Sequence, residues 1–103
     1  MYARMVKGHV KPGKYELATR LLENDVIPLL KRQEGFRDEI TFFDKDHKEG
    51  FAISFWENKK ALDNYERKVY PEVRTRMADA FEELPIGKDF EVANSTWYKI
   101  HAA

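Results

Sequence analysis

The chain has 103 residues, with 18 Lys plus Arg balanced by 18 Asp plus Glu, and no Cys. Balanced charge gives no overall field to draw the protein to nucleic acid or an anionic membrane. Without Cys there is no disulfide framework, thiolate nucleophile or thiolate metal site. Apolar residues at 43%, including seven Phe, five Tyr and two Trp, exclude a disordered chain, and 35% charged residues supply a hydrated exterior.

Residues 1–103 therefore read as one globular domain. The opening Met1-Tyr2-Ala3-Arg4-Met5-Val6 has no apolar core of signal-peptide length, and no stretch approaches the roughly 20 apolar residues of a membrane span. A cytoplasmic location is expected.

Tyr2 to Val10 reads as a first strand, turned by Lys11-Pro12-Gly13-Lys14. From Tyr15 to Gln33, Ala18, Leu21, Leu22, Val26, Leu29 and Leu30 recur at three- and four-residue steps, which predicts a helix with one buried face. Pro28 removes a hydrogen bond to the carbonyl of Asn24, so a kink is expected there. Gly35 stops that helix. Phe36 to Asp44 follows as a strand, with Phe36, Ile40 and Phe42 on one face and Phe43 on the other.

The polar run Asp44 to Gly50 leads into a strand ending at Trp56, and the two strands should pair as an antiparallel hairpin. Phe51, Ile53 and Phe55 alternate with Ala52, Ser54 and Trp56, a pattern that places apolar groups on both faces of the sheet. Asn58 caps a second helix with Leu62, Tyr65, Val69, Val73, Met77 and Phe81 inward and a break near Tyr70 at Pro71. Leu84-Pro85-Ile86-Gly87 ends the helical region. Phe90 to His101 reads as a last strand, with Phe90, Val92, Tyr98 and Ile100 alternating against Ala93 and Trp97.

The order strand, helix, strand, strand, helix, strand predicts an α+β, ferredoxin-like βαββαβ fold with both helices on one face of a four-stranded antiparallel sheet. Two helices cover one face only. A second copy of the chain is the simplest cover for the other.

Val10 to Lys14 leading into helix one, Val26-Ile27-Pro28 late in it, Gly35-Phe36-Arg37 opening strand two, and Ser54-Phe55-Trp56-Glu57 running into Ala61-Leu62 resemble the antibiotic biosynthesis monooxygenase-like family in order and spacing. The resemblance covers nearly the whole chain. It implies a homodimer in which two sheets pack into a dimeric α/β barrel, with a ligand pocket between each sheet and its helices. Members include cofactor-independent oxygenases of polycyclic aromatics, quinol oxygenases and haem-degrading enzymes, so the fold does not settle the activity. The Asn, Trp and His used by the haem-degrading members align with Val6, Tyr65 and Thr75, which disfavours haem chemistry.

A cofactor-free oxygenase holds a deprotonated phenol or enol in an apolar pocket beside donors that stabilise the anion. Tyr65, Arg4 and Asn94 are the catalytic candidates. Arg4 could pair with an anionic oxygen, while the tyrosines and Asn94 could orient the substrate. Trp56, Tyr70, His9 and Tyr98 are the candidate ligand contacts, with His9 able to take a proton near neutral pH. Each has a plainer role: Trp56 as a core residue, Tyr65 and Tyr70 as buried phenols bonded within the protein, Arg4 and His9 as solvated or structural charges. Arg4 and His9 have opposite parity along one strand and serve one pocket only across a bulge.

His9, His47 and His101 are scattered, so no metal site is expected. Asp44 to Gly50 begins like a calcium loop, but Lys48 and Glu49 stand where an oxygen ligand and a glycine belong, which makes it a hairpin turn. Asn94-Ser95-Thr96 matches a glycosylation sequon that a chain without a signal peptide does not use. An RNA-recognition module shares the topology, but Glu49 stands where a basic residue should precede Gly50-Phe51.

The leading expectation is a cofactor-independent monooxygenase acting on a small aromatic, quinol or polyketide-like substrate. The alternative is a non-catalytic, small-ligand-binding or stress-related barrel. A third class, a pure interaction domain, requires a packed interior without a pocket. No cofactor, nucleic-acid or membrane partner is expected.

Overall fold

The computed structural model describes residues 1–83 and 87–102. Along the chain run β1 (Tyr2–His9), α1 (Tyr15–Leu21), a π-helical segment (Leu22–Val26), α2 (Ile27–Lys31), β2 (Phe36–Phe43), β3 (Glu49–Trp56), α3 (Lys59–Lys68), α4 (Tyr70–Met77) and β4 (Lys88–Glu91). The strands form one antiparallel sheet in the order β2-β3-β1-β4, with the helices against one face. This is the expected α+β, ferredoxin-like arrangement. Among the described residues no helix is long and apolar enough to cross a membrane.

The first helical region explains its own irregularity. Ala18, Leu22, Val26 and Leu30 are all buried. Four-residue steps in a helix of 3.6 residues per turn drift around the axis by about 40° each. The wider π turn at Leu22–Val26 takes back part of that drift and keeps all four residues toward the core. It also sits where Pro28 can donate no hydrogen bond, so the proline falls in the first turn of α2 and the helix continues past it.

Asn58 is the N-cap of α3, its side-chain oxygen accepting from the Ala61 N–H at 2.9 Å. The break near Pro71 falls at Val69, whose φ of −117° separates α3 from α4. The β2–β3 turn is held by Asp44, whose carboxylate accepts from the backbone N–H groups of Lys48 and Glu49. Those bonds hold its carboxyl below the usual range.

Two expectations need correction. Phe36 does not share a face with Ile40 and Phe42, because a bulge between Phe36 and Asp38 flips the alternation. Phe36 instead packs edge-on against Trp56 in the core, ring centroids 5.5 Å apart. The last strand does not run from Phe90 to His101. It spans Lys88–Glu91, and residues 92–102 fold back across the helix-free face, where Ile100 is buried with Met1 and Phe55. The Val92 N–H still donates to the Met1 carbonyl, but the polar Asn94-Ser95-Thr96 stretch has no place in an apolar ladder. The expected helix terminus at Leu84-Pro85-Ile86 lies outside the described residues.

This tail covers only part of the outer face. Phe42, Phe51 and Phe90 remain 52%, 39% and 42% exposed on it. Lys7 reaches over the Phe51 ring at 5.7 Å, and Lys88 over Phe90 at 5.4 Å.

Gly35 joins the two halves at φ +81°, and a Cβ there would lie 2.4 Å from the Ala61 Cβ. Gly35→Ala is therefore expected to lower the unfolding free energy by about 2–4 kcal/mol, from left-handed strain plus collision with α3. Urea unfolding measures this directly, and a wild-type midpoint would show that the contact relaxes freely.

Candidate functional site

Alternation along β1 sends Tyr2, Arg4 and Val6 toward the helices and Ala3, Met5, Lys7 and His9 to the opposite face. Arg4 thus enters the core, where it is 5% exposed. A guanidinium in such a place needs compensation. Its Nη1 lies 3.0 Å from Glu66 Oε1 on α3 and 3.3 Å from Asp89 Oδ1, the residue paired with Arg4 on β4. Its Cζ sits 4.3 Å from the centroid of the Tyr70 ring. Gly87 packs so closely that a Cβ there would lie 2.5 Å from Arg4 Cζ, so only glycine fits without displacing the guanidinium.

Tyr70 continues into an aromatic row. Its ring centroid is 6.0 Å from that of Tyr65, which stacks on Trp56 at 4.7 Å and 27°. Trp56 is fully buried, and its Nε1 donates to Ser54 Oγ at 2.8 Å. Its polar atom is therefore bonded inside the protein. Tyr70 differs: its buried hydroxyl, and Arg4 Nε, have no hydrogen-bond partner among the described residues.

Burial pushes the Tyr65 phenol far up, reinforced by Tyr70 and opposed by Arg4, so Tyr65 stays protonated at neutral pH. Burial, helped by a hydrogen bond to the Asp89 carboxyl and opposed by Arg4, raises Glu66 to about 7. Glu39, inward-facing on β2 opposite Ser54, is also raised by burial, partly offset by the Thr41 hydroxyl that donates to it.

Of the residues singled out from sequence, the fold brings together Arg4, Trp56, Tyr65 and Tyr70. It does not bring in the other three. His9 projects from the opposite face of β1, where its Nε2 lies 3.3 Å from Glu49 Oε2. Asn94 and Tyr98 fall beyond the end of β4, exposed in the folded-back tail, and Tyr98 is 94% exposed. Glu66 and Asp89 were not anticipated. The available signal was Arg4 itself, since an inward arginine on a central strand requires acidic partners on the elements beside it.

Asp63, Glu66 and Asp89 bring carboxylate oxygens within 4.8 Å of one another. Arg4 already supplies a cation to two of them, which makes the cluster an ion-pair network. Tyr65 also lines a polar cleft of about 570 Å³, with Gly35, Arg37, Asn58, Asn64 and Lys68 among the other walls. Deeper, between sheet and helices, an apolar crevice of about 30 Å³ lies among Val6, Leu22, Phe43, Ala52, Met77 and Phe81. Trp56 itself is closely packed, fully buried between the Phe36 and Tyr65 rings.

Neither a protein-family model nor a curated protein matches this chain. Solved structures do. The ActVA-Orf6 monooxygenase of Streptomyces coelicolor, in complex with nanaomycin D, is 16% identical at a TM-score of 0.71, covering 86% of this chain and 84% of that one. SnoaB, a cofactor-independent oxygenase from Streptomyces nogalater, is 13% identical at 0.71, covering 92% and 95%. A protein from Deinococcus radiodurans, provisionally named an antibiotic biosynthesis monooxygenase, is 10% identical at 0.75, covering 92% and 95%. At these identities the likeness concerns the fold, which is that of the antibiotic biosynthesis monooxygenase-like proteins.

The ionisation of Glu66 gives a pH test. Its folded value of about 7 exceeds the unfolded 4.5, so between those values the folded state holds a proton that the unfolded chain has released. Stability should therefore fall as pH rises through that window, by on the order of 1 kcal/mol for this partly exposed group. Glu39 acts in the same direction. Glu66→Gln should flatten the slope and raise stability at pH 8, as read from thermal midpoints across pH. An unchanged slope would place the titration elsewhere.

Proposed function

We propose that this chain is a monooxygenase that works without a bound cofactor on a small hydroxylated aromatic, a quinol or a polyketide-like phenol. One observation carries the reading. Arg4 Nε and the Tyr70 hydroxyl, together with the acceptor Glu66 Oε1, are buried polar atoms with no hydrogen-bond partner among the described residues, set beside a Tyr65 phenol that burial keeps in its protonated form at neutral pH. Such a group suits a phenolate or enolate oxygen, whose negative charge satisfies donors that otherwise cost free energy.

The roles follow from chemistry. Glu66, raised to about 7, is matched to accept the substrate's phenolic proton near neutral pH. Arg4 and Tyr70 hold the resulting anion, and the electron-rich ring reduces dioxygen. When a ring CH₂ becomes C=O and the second oxygen leaves as water, electrons balance without an outside reductant. Tyr65 also faces a cleft of about 570 Å³, within the roughly 300–1,000 Å³ common for small-molecule sites; Arg4, Glu66 and Tyr70 are not among its walls, so this function requires side chains to move before the substrate ring meets them. The likeness to two Streptomyces oxygenases supports this reading.

We also propose a homodimer joined through the helix-free face. Phe42, Phe51 and Phe90 form an exposed apolar patch there, continuous with the cluster of Met1, Phe55 and Ile100. Native mass should equal twice the 12.2 kDa chain mass. Phe51→Asp is expected to shift it to the single-chain value, and a wild-type monomer at micromolar concentration would sink the two-chain reading.

The close packing around Trp56 favours a second reading, a pure interaction domain, over ligand binding without turnover. Oxygen uptake with a panel of quinols and phenols separates turnover from both. Tyr70→Phe is the sharper probe. Removing an unpartnered buried hydroxyl should leave stability unchanged or raise it by about 1 kcal/mol, while kcat/KM falls roughly 100-fold. Retention of ligand with no oxygen uptake by the wild type would favour the binding reading.

A further inference from the structure

The apolar crevice on the helical side of the sheet has a specific origin. Gly8 on β1 pairs with Gly50 on β3, leaving adjacent positions on the sheet without side chains, and Ala52 next to them contributes only a methyl. Leu22, Met77 and Phe81 descend from the helical side, and Phe43 covers Gly50 with its ring edge. About 30 Å³ remains between them, in a crevice that is partly open to the surface.

Water suits this space poorly. The walls are methyl, methylene, thioether and ring carbon, with strand backbone already paired in the ladder. The Thr41 hydroxyl at its edge donates to Glu39. A water needs two to four polar partners, and apolar cavities that lack them stay dry. Since a single water-sized body takes roughly 10–15 Å³ of such space, about 30 Å³ accommodates two atoms of that size and excludes an aromatic ring.

We propose that this crevice is a binding site for an apolar diatomic gas, and that its physiological occupant is dioxygen. The use of the gas rests on the oxygenase reading; its occupancy does not. Val6 follows Arg4 on the same face of β1, and Ala52 precedes Ser54 on the same face of β3. At about 3.3 Å per strand residue, the crevice begins some 7 Å along the sheet from the buried guanidinium. Dioxygen held there lies on the same face of the sheet as the guanidinium and does not compete for its partners.

The test exposes the intact protein to dioxygen under pressure and reads paramagnetic relaxation of side-chain methyls by nuclear magnetic resonance, with xenon-induced shifts as a diamagnetic check. The methyls of Val6, Leu22, Ala52 and Met77 should relax several-fold faster than equally buried methyls elsewhere, such as those of Leu62. Ala52→Val, which adds two methyl groups to the crevice, should remove the difference, and Val6→Ile should diminish it should the first variant prove unstable. In the active enzyme Ala52→Val should raise KM for dioxygen several-fold while leaving KM for the organic substrate unchanged. Crevice methyls that relax no faster than Leu62 would overturn the proposal. Selective relaxation in a protein that consumes no oxygen with any substrate would uphold the site while removing the oxygenase reading.

Discussion

A guanidinium buried beneath two helices sets the terms for the rest of this molecule. The effective cost of taking such a charge out of water is several kcal/mol, returned only by well-placed partners. Arg4 draws those partners from separate elements: Glu66 from α3, Asp89 from β4 and the Tyr70 ring from α4. The edge strand β4 is four residues long and exposed throughout. Its Asp89, opposite Arg4, is therefore one of its few anchors to the interior. The break at Val69 also acquires a purpose, because the restart at Tyr70 turns a phenol ring over the guanidinium. Burial first, and then the neighbouring Asp89 and Asp63 carboxylates, raise Glu66 to about 7 against the pull of Arg4.

The two faces of the sheet pose different problems. On the helical side, apolar packing is nearly complete, and the polar groups that remain are either paired, as Trp56 with Ser54, or unpartnered among the described residues, as the Tyr70 hydroxyl. On the opposite side, the chain's own tail buries Met1, Phe55 and Ile100 and leaves a stripe of phenylalanines open. A tail of this length shields part of a sheet, and its polar middle cannot continue the ladder. Of the phenylalanines that remain exposed, Phe51 lies under Lys7 and Phe90 under Lys88, so an ammonium group shields part of each ring.

Much of this architecture was legible from the residues. The alternation of β3 placed Phe51, Ile53 and Phe55 opposite Ala52, Ser54 and Trp56, and the same parity separated Arg4 from His9. Both are local consequences of a two-residue period. The failures were not local. The bulge after Phe36 is a one-residue insertion that leaves composition untouched while reversing the facing of a side chain. In the tail, alternation between Phe90 and Ile100 imitated a strand, whereas Ile100 is apolar because it closes over Met1 and Phe55. Glu66 and Asp89 were missed because a counter-ion to a buried charge looks, in sequence, like any other acidic residue on a wet face.

The unpartnered polar atoms are the feature of this core that packing alone does not explain. A buried hydroxyl without a partner costs about 1–3 kcal/mol, and a protein under selection for stability alone replaces it with phenyl at almost no change in shape. Trp56 illustrates the opposite economy, with its only polar atom bonded to Ser54 at 2.8 Å. Both residues lie in one aromatic row, close in burial and surroundings, yet only one has its polar atom satisfied by the described protein. That difference is what a ligand oxygen would remove. Arg4 Nε and the Tyr70 hydroxyl are left open within a cluster whose one guanidinium already answers to Glu66 and Asp89, so what they lack is a polar partner rather than a counter-charge.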